Sequence, residues 1–143
     1  MNRERKKELV QKGKAHGVIV YADDGEPVGW SQYGSREELP RMDHTRSYRG
    51  ISPRSEGSIW RITCFVVDKN YRRGVATAAL RAVLESIENR GCGLVEAYPV
   101  SETDQGLGYM YAGRASMFEK AEFKRVAHLG TGRTQTVLMR RKV

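Results

Sequence analysis

Two arginines and a glycine, in RRGVAT from Arg72 to Thr77, stand between an apolar run and a segment with helical spacing. That order of residues can hold a phosphate. The first amides of a helix have no intrahelical partners, and the macrodipole makes that end positive. An anion placed there is bound by backbone N–H groups. Gly74 lets the backbone approach the anion because it carries no Cβ, and Ala76 is the next smallest choice. The guanidinium forks of Arg72 and Arg73 match phosphate oxygens. A solvated turn on a basic protein has the same composition, so the elements around the turn must decide between the two.

Those elements are orderly. IWRITCFVV, Ile59 to Val67, is β-rich and becomes apolar on both faces towards its end, the pattern of a central strand. After the turn, Ala76, Ala79, Leu80, Val83, Leu84 and Ile87 recur at helical spacing, and Gly91 is placed to end the helix. GLVEAYPV, Gly93 to Val100, reads as a second buried strand. Strand, helix and strand in about forty residues make a βαβ unit whose strands are parallel neighbours. The basic turn therefore lies at the carboxyl end of a buried strand and the amino end of a helix, which favours the phosphate reading.

Around this unit the chain reads as further strands and one more helix. Val18–Tyr21 and Val28–Tyr33 flank Asp23-Asp24-Gly25, strong turn chemistry for a hairpin. Residues 34–58 are polar, with Tyr48 and Ile51 as the large apolar residues of their second half; a long surface connection with little core is expected. YMYAGRASMFEKA predicts a helix weakened by Gly113, and EFKRVAHL and TQTVLMRR predict a closing antiparallel hairpin.

The whole chain sets limits. Its 143 residues suit one domain with one core. No run of about 18 apolar residues is present, so no membrane span is expected. The charge-dense start, MNRERKKELVQKGK, lacks the apolar region of a signal peptide, and a cytoplasmic location follows as the expectation. Two cysteines, Cys64 and Cys92, are too few for a disulfide framework or a four-ligand zinc site. The serines and three histidines show no hydrolase or metal spacing. A formal charge of +8 favours anionic partners without choosing among nucleic acid, an acidic surface and a phosphorylated small molecule.

CFVVDKNYRRGVATAALRAVLESIENRGCGLVEAYPV, Cys64 to Val100, resembles the acetyl-CoA-binding core of the GNAT superfamily of N-acetyltransferases. The family pattern is arginine or glutamine, any two residues, glycine, any residue, then glycine or alanine. SMFEKAEF, Ser116 to Phe123, resembles the closing-helix motif, and the hairpin from Val18 resembles the second and third family strands. The resemblance covers about residues 18–140. It implies an α/β (α+β) fold: a mixed, mostly antiparallel sheet with one central, splayed parallel pair, flanked by helices. It also implies acetyl-CoA as cosubstrate. Phe65, Val66 and Val67 would pair by main chain with the pantetheine arm, and Arg72, Arg73, Gly74, Val75, Ala76 and Thr77 would hold the pyrophosphate. The thioester would lie in the gap between Val66 and Glu96–Tyr98.

Three positions depart from the family pattern. With Gly74 and Ala76 in register, the first basic position falls on Tyr71. Glu122 stands where the closing motif has glycine, so a different turn is expected there. Phe118 stands where many members carry the tyrosine that protonates the leaving thiolate. About seventeen residues precede the hairpin, with no convincing first strand, which would leave a sheet edge to be covered; a homodimer is one solution.

The implied reaction is direct attack of a primary amine, on a small molecule or a protein, on the thioester. Glu96 is the first choice for a base or amine-orienting carboxylate, against an exposed strand residue. Tyr98 could donate to the thiolate or pack, and Tyr109 and Tyr111 are weaker substitutes. His44 and Glu38 could meet the acceptor or belong to a solvated loop, and His16 and His128 read as structural. Two alternatives stand beside the enzyme: a GNAT-like protein that holds acyl-CoA without turnover, and a basic nucleic-acid-binding domain, for which no known module appears.

Overall fold

A computed structural model describes residues 16–51, 57–68, 70, 74–99, 113–129 and 136–143. Six strands form one sheet: β1 (His16–Tyr21), β2 (Pro27–Ser35), β3 (Ile59–Val67), β4 (Leu94–Ala97), β5 (Lys124–Leu129) and β6 (Thr136–Lys142). Their order is β1-β2-β3-β4-β6-β5. Every neighbouring pair is antiparallel except β3–β4, which is parallel. Helix α1 (Arg46–Arg49) follows a 3-10 turn at Pro40–His44; α2 (Val75–Asn89) makes the crossover between β3 and β4; α3 (Ala115–Lys120) precedes β5. The mixed, mostly antiparallel sheet with one parallel pair is the expected fold.

Alternation along β3 sorts its side chains onto two faces. Trp60, Ile62 and Phe65 join the core beneath α2, which contributes Ala79, Leu80, Val83, Leu84 and Ile87 from its apolar stripe. Gly29 makes that packing possible: a Cβ there would collide with the Val75 side chain at the start of α2. On the opposite face Tyr48, Tyr98, Leu129 and Leu138 form a second cluster, with Met42 and Ile51 against it. The connection after β2 was expected to contribute little core. Instead, Tyr48 is completely buried, because the 3-10 turn and α1 fold back over this face of the sheet. β4 is also shorter than the expected strand from Gly93 to Val100.

Candidate functional site: an opening between parallel strands

The β3–β4 ladder runs from Ile59↔Leu94 to Ile62↔Ala97 and stops there. β3 continues to Val67 with only β2 beside it among the described residues. The reason is local. The β2–β3 register passes from Gln32↔Cys64 to Tyr33↔Ile62, so Thr63 is an extra residue on β3. A bulge bends its strand and increases its twist, and this one lies immediately after the last residue paired to β4. Among the described residues, β3 beyond Ile62 thus has no strand beside it on the β4 side, and the sheet opens there. Phe65 turns its ring into the core, with its centroid 6.0 Å from that of Phe118. Val66 is exposed, and Val67 is half-buried. What this segment can offer a ligand is chiefly main chain.

α2 begins soon after β3 ends. Gly74 is its N-cap, at φ 78° and ψ −7°, with no side-chain capping bond. The first helical bond is Ala78 N–H to the Gly74 carbonyl at 3.0 Å. The amides of Val75, Ala76 and Thr77 precede it in the uncapped first turn, where donors await an external acceptor. Among the described residues, a Cβ on Gly74 would meet nothing within 4 Å. The Val75 side chain is buried and Thr77 is exposed. The donor set suits the pyrophosphate and amide groups of an acyl-CoA: amides at a positive helix end, and a strand end leading to them that no strand flanks on the β4 side among the described residues. Arg72 and Arg73, with Tyr71, Tyr109 and Tyr111, lie outside the described residues. A shallow cleft of about 510 Å³ also opens beside Gly74 and Val75, but Asp23 and Asp24 form part of its wall. Those carboxylates disfavour a phosphate in it.

Glu96 and Tyr98 are placed differently from the expectation. Glu96 is paired with Arg61, on the closed side of the opening and one residue short of its rim. Its carboxylate is fully buried. Oε1 accepts from the Tyr48 hydroxyl at 2.7 Å, from the Tyr98 hydroxyl at 3.0 Å and from Arg61 Nε at 3.4 Å. Oε2 accepts from Arg140 Nε at 2.8 Å and lies 2.9 Å from the Tyr48 hydroxyl. A general base must present a lone pair to its substrate; these oxygens present theirs to two tyrosines and two arginines. Tyr98 follows the last paired residue and keeps little exposure. Burial, and then the neighbouring Glu96 charge, push its pKa up, which holds the hydroxyl protonated.

The cluster extends to residues that the sequence reading did not single out. Arg61, 1% exposed, donates to both Asp43 oxygens at 2.9 Å and to the Leu39 carbonyl at 2.8 Å. The Arg61 hydrogen bonds, joined by those from Arg36, overcome the opposing effect of burial and hold Asp43 at about 2. Arg140 reaches the Ile51 carbonyl at 2.8 Å. A signal for this was present: Arg61 interrupts the apolar run IWRITCFVV as Glu96 interrupts LVEA, and a parallel register can set the two side by side. His16 has a structural partner in Glu38, at 2.9 Å. Among the described residues, no helix is long and apolar enough to cross a membrane.

The sheet opens between two parallel strands and a crossover helix starts after the opening, the arrangement that the family resemblance implies. The comparisons with known proteins agree. The family model described as the acetyltransferase (GNAT) family matches residues 2–112. The chain belongs to that family. No curated protein matches the sequence. Among solved structures, the ribosomal-protein-alanine N-acetyltransferase of Brucella melitensis is similar at TM-score 0.65 and 17% identity, over 99% of this chain and 77% of that one. NAA60 of Arabidopsis thaliana, solved with acetyl-CoA, is similar at TM-score 0.65 and 13% identity, over 100% of this chain and 84% of that one. An N-acetyltransferase of Staphylococcus aureus is similar at TM-score 0.66 and 14% identity, over 98% of this chain and 74% of that one. Identities this low establish a shared fold.

Proposed function

We propose that the protein is an acetyl-CoA-dependent N-acetyltransferase that acts on a primary amine by direct attack. The observation that carries this reading is the continuity of the site: the Phe65–Val67 end of β3, which no strand flanks on the β4 side among the described residues, leads to the start of α2, whose N-cap makes no side-chain bond. The amides of Gly74, Val75, Ala76 and Thr77 hold the pyrophosphate, with Arg72 and Arg73 adding guanidinium donors. The main chain of Phe65, Val66 and Val67 aligns the pantetheine arm. Bound acetyl-CoA supplies an activated acyl group. A main-chain N–H at Val66 or Val67 faces the negative charge that develops on the carbonyl oxygen.

A lysine-like amine has a pKa near ~10.4 and must shed a proton to attack. With the Glu96 lone pairs committed, water carries that proton away, and Glu96 acts by holding Tyr98 and the α1 segment in place. Tyr98 gives its one hydroxyl proton to Glu96 and packs at the rim, so water also supplies the proton to the departing thiolate. The alanine acceptor named for the Brucella neighbour adds a protein α-amine to the small amines to be tested.

One observation favours a second reading, an acyl-CoA-binding protein without turnover. Phe118 is fully buried and has no proton to give, while Glu96 is closed off from substrate. Calorimetry with acetyl-CoA, followed by thiol release with a panel of amines, separates the two. The enzyme reading expects saturable binding, lost in Gly74→Trp while the melting temperature shows that the variant still folds, and thiol release with at least one amine. Binding without release selects the second reading, and absence of saturable binding removes both. Glu96→Gln should leave the shape of the pH–rate profile unchanged; loss of its acidic limb would restore Glu96 as the base.

A further inference from the structure

We infer that the acceptor amine is carried on an acidic peptide, recognised by the outward face of residues 41–49 beside the opening. This inference deepens the proposed acetyltransferase reading and rests on it.

Three observations lead there. The first is position. Met42, Tyr48 and Ile51 pack in one cluster with Tyr98, which immediately follows the last residue of β4 paired to β3. The 3-10 turn and α1 therefore stand next to the opening, on the sheet face opposite α2. The proposed phosphate cradle lies at the start of α2, so this second face is the one left to the acceptor.

The second is rigidity. Four short helical residues and one 3-10 turn would not hold a shape alone. Here the segment is fixed from below at several points. Arg61 binds the Leu39 carbonyl and the Asp43 carboxylate, Glu96 accepts from Tyr48, and Arg140 binds the Ile51 carbonyl. A recognition surface that is already ordered loses less entropy on binding.

The third is charge. RMDHTRSYR, Arg41 to Arg49, contains one acid, Asp43, and that carboxylate is turned inward to Arg61 and Arg36. Arg41, Arg46 and Arg49 are exposed on the outside. Arg41 and Arg46 have no carboxylate partner among the described residues, and Arg49 makes one bond, to the Asp43 carbonyl. Among the described residues 37–51, Glu37 is the exposed acid, which leaves three exposed arginines against one exposed acid. Such a face repels polyamines and basic peptides and attracts an acidic chain. A peptide with acidic residues following its α-amine would place those carboxylates on the arginines while the amine reaches the opening.

The test uses short peptides with a free α-amine followed by acidic, neutral or basic residues. Thiol release should give the acidic peptide the highest kcat/KM, by roughly tenfold or more over the basic one at low salt, with the difference shrinking as salt rises. The double variant Arg41→Glu with Arg46→Glu should reverse the order while acetyl-CoA affinity stays unchanged. Equal kcat/KM across the three peptides, or an order unaffected by the double variant, overturns the inference. Anisotropy of the labelled acidic peptide gives a readout independent of turnover. If no amine is acetylated but the acidic peptide binds and the double variant abolishes that binding, the docking surface stands and the enzymatic reading fails. If a single-stranded RNA oligonucleotide binds more tightly than the peptide and is released by the same double variant, the surface is a nucleic-acid site and the peptide assignment is wrong.

Discussion

The two faces of the central strands are built on different physics. Towards α2, β3 and β4 present Trp60, Ile62, Val95 and Ala97 to an apolar core. Towards α1, the alternate residues Arg61 and Glu96 are equally buried, at 1% and 0% exposure, and are bound to Asp43, Tyr48, Tyr98 and Arg140. An apolar face tolerates small shifts because dispersion and burial have no direction. A buried ionic face demands one register, since a one-residue slip would carry Arg61 and Glu96 into the core. We read the first face as the source of bulk stability and the second as the device that fixes α1 and Tyr98 at the opening.

The largest effect should come from breaking the ionic face on one side only. Arg61→Met takes the buried bidentate partner from Asp43 and one of two arginines from Glu96, and should destabilise by about 4 kcal/mol, since breaking a buried pair on one side costs more than the intact pair stabilises. Leu80→Ala, on the apolar face, should cost about 3 kcal/mol through lost burial and a residual cavity. Urea unfolding of the two variants tests the comparison. A loss near zero for Arg61→Met would mean that the buried cluster is dispensable.

The two faces should also differ in pH response. Asp43 is held at about 2 against an ordinary value of 3.8, chiefly by its hydrogen bonds from Arg61. A carboxylate depressed in the folded state contributes stability that is present above its unfolded pKa and lost as pH falls through its folded one. The shift corresponds to about 2 kcal/mol. Asp43→Asn should therefore destabilise by about that much at pH 6, with the difference from wild type shrinking as pH falls towards about 2. The Leu80→Ala deficit should stay constant over the same range. A constant Asp43→Asn deficit would show that the ion pairs contribute nothing of their own.

The apolar face was the legible one. Helical spacing in Ala76–Ile87 and the apolar run Ile59–Val67 specify a buried helix on a buried strand, and the crossover makes the strands parallel. The opening was expected from a family resemblance, but its cause lies in one extra residue, Thr63, which no periodicity marks. The ionic face was hidden for another reason. Asp43, Tyr48, Arg61 and Glu96 span 54 residues of sequence, and each taken alone reads as a surface residue or an oddity. Only the β3–β4 register, with Arg61 beside Glu96, brings them together. That is also why Glu96 could be noticed as a buried carboxylate and still be given the wrong neighbourhood.

The smallest expected effect concerns how α3 is tied to the apolar face. A different turn was expected where Glu122 replaces the family glycine. The turn is instead of the kind glycine adopts most readily: Glu122 lies at φ 69°, and the next amide, Phe123 N–H, returns to the Phe118 carbonyl at 2.9 Å. Phe123 and Phe118 both enter the core there. A side chain in this left-handed region costs about 1 kcal/mol, and the compensating contact is weak, with Glu122 exposed and 3.7 Å from Arg141. Glu122→Gly should raise stability by up to about 0.5 kcal/mol, after allowance for the greater freedom of glycine in the unfolded chain. Glu122→Ala should give no such gain, since alanine keeps the Cβ. Thermal melts of the two variants separate backbone strain from charge. An equal gain in both would assign the effect to the lost carboxylate, and the apolar face would then close around α3 without strain.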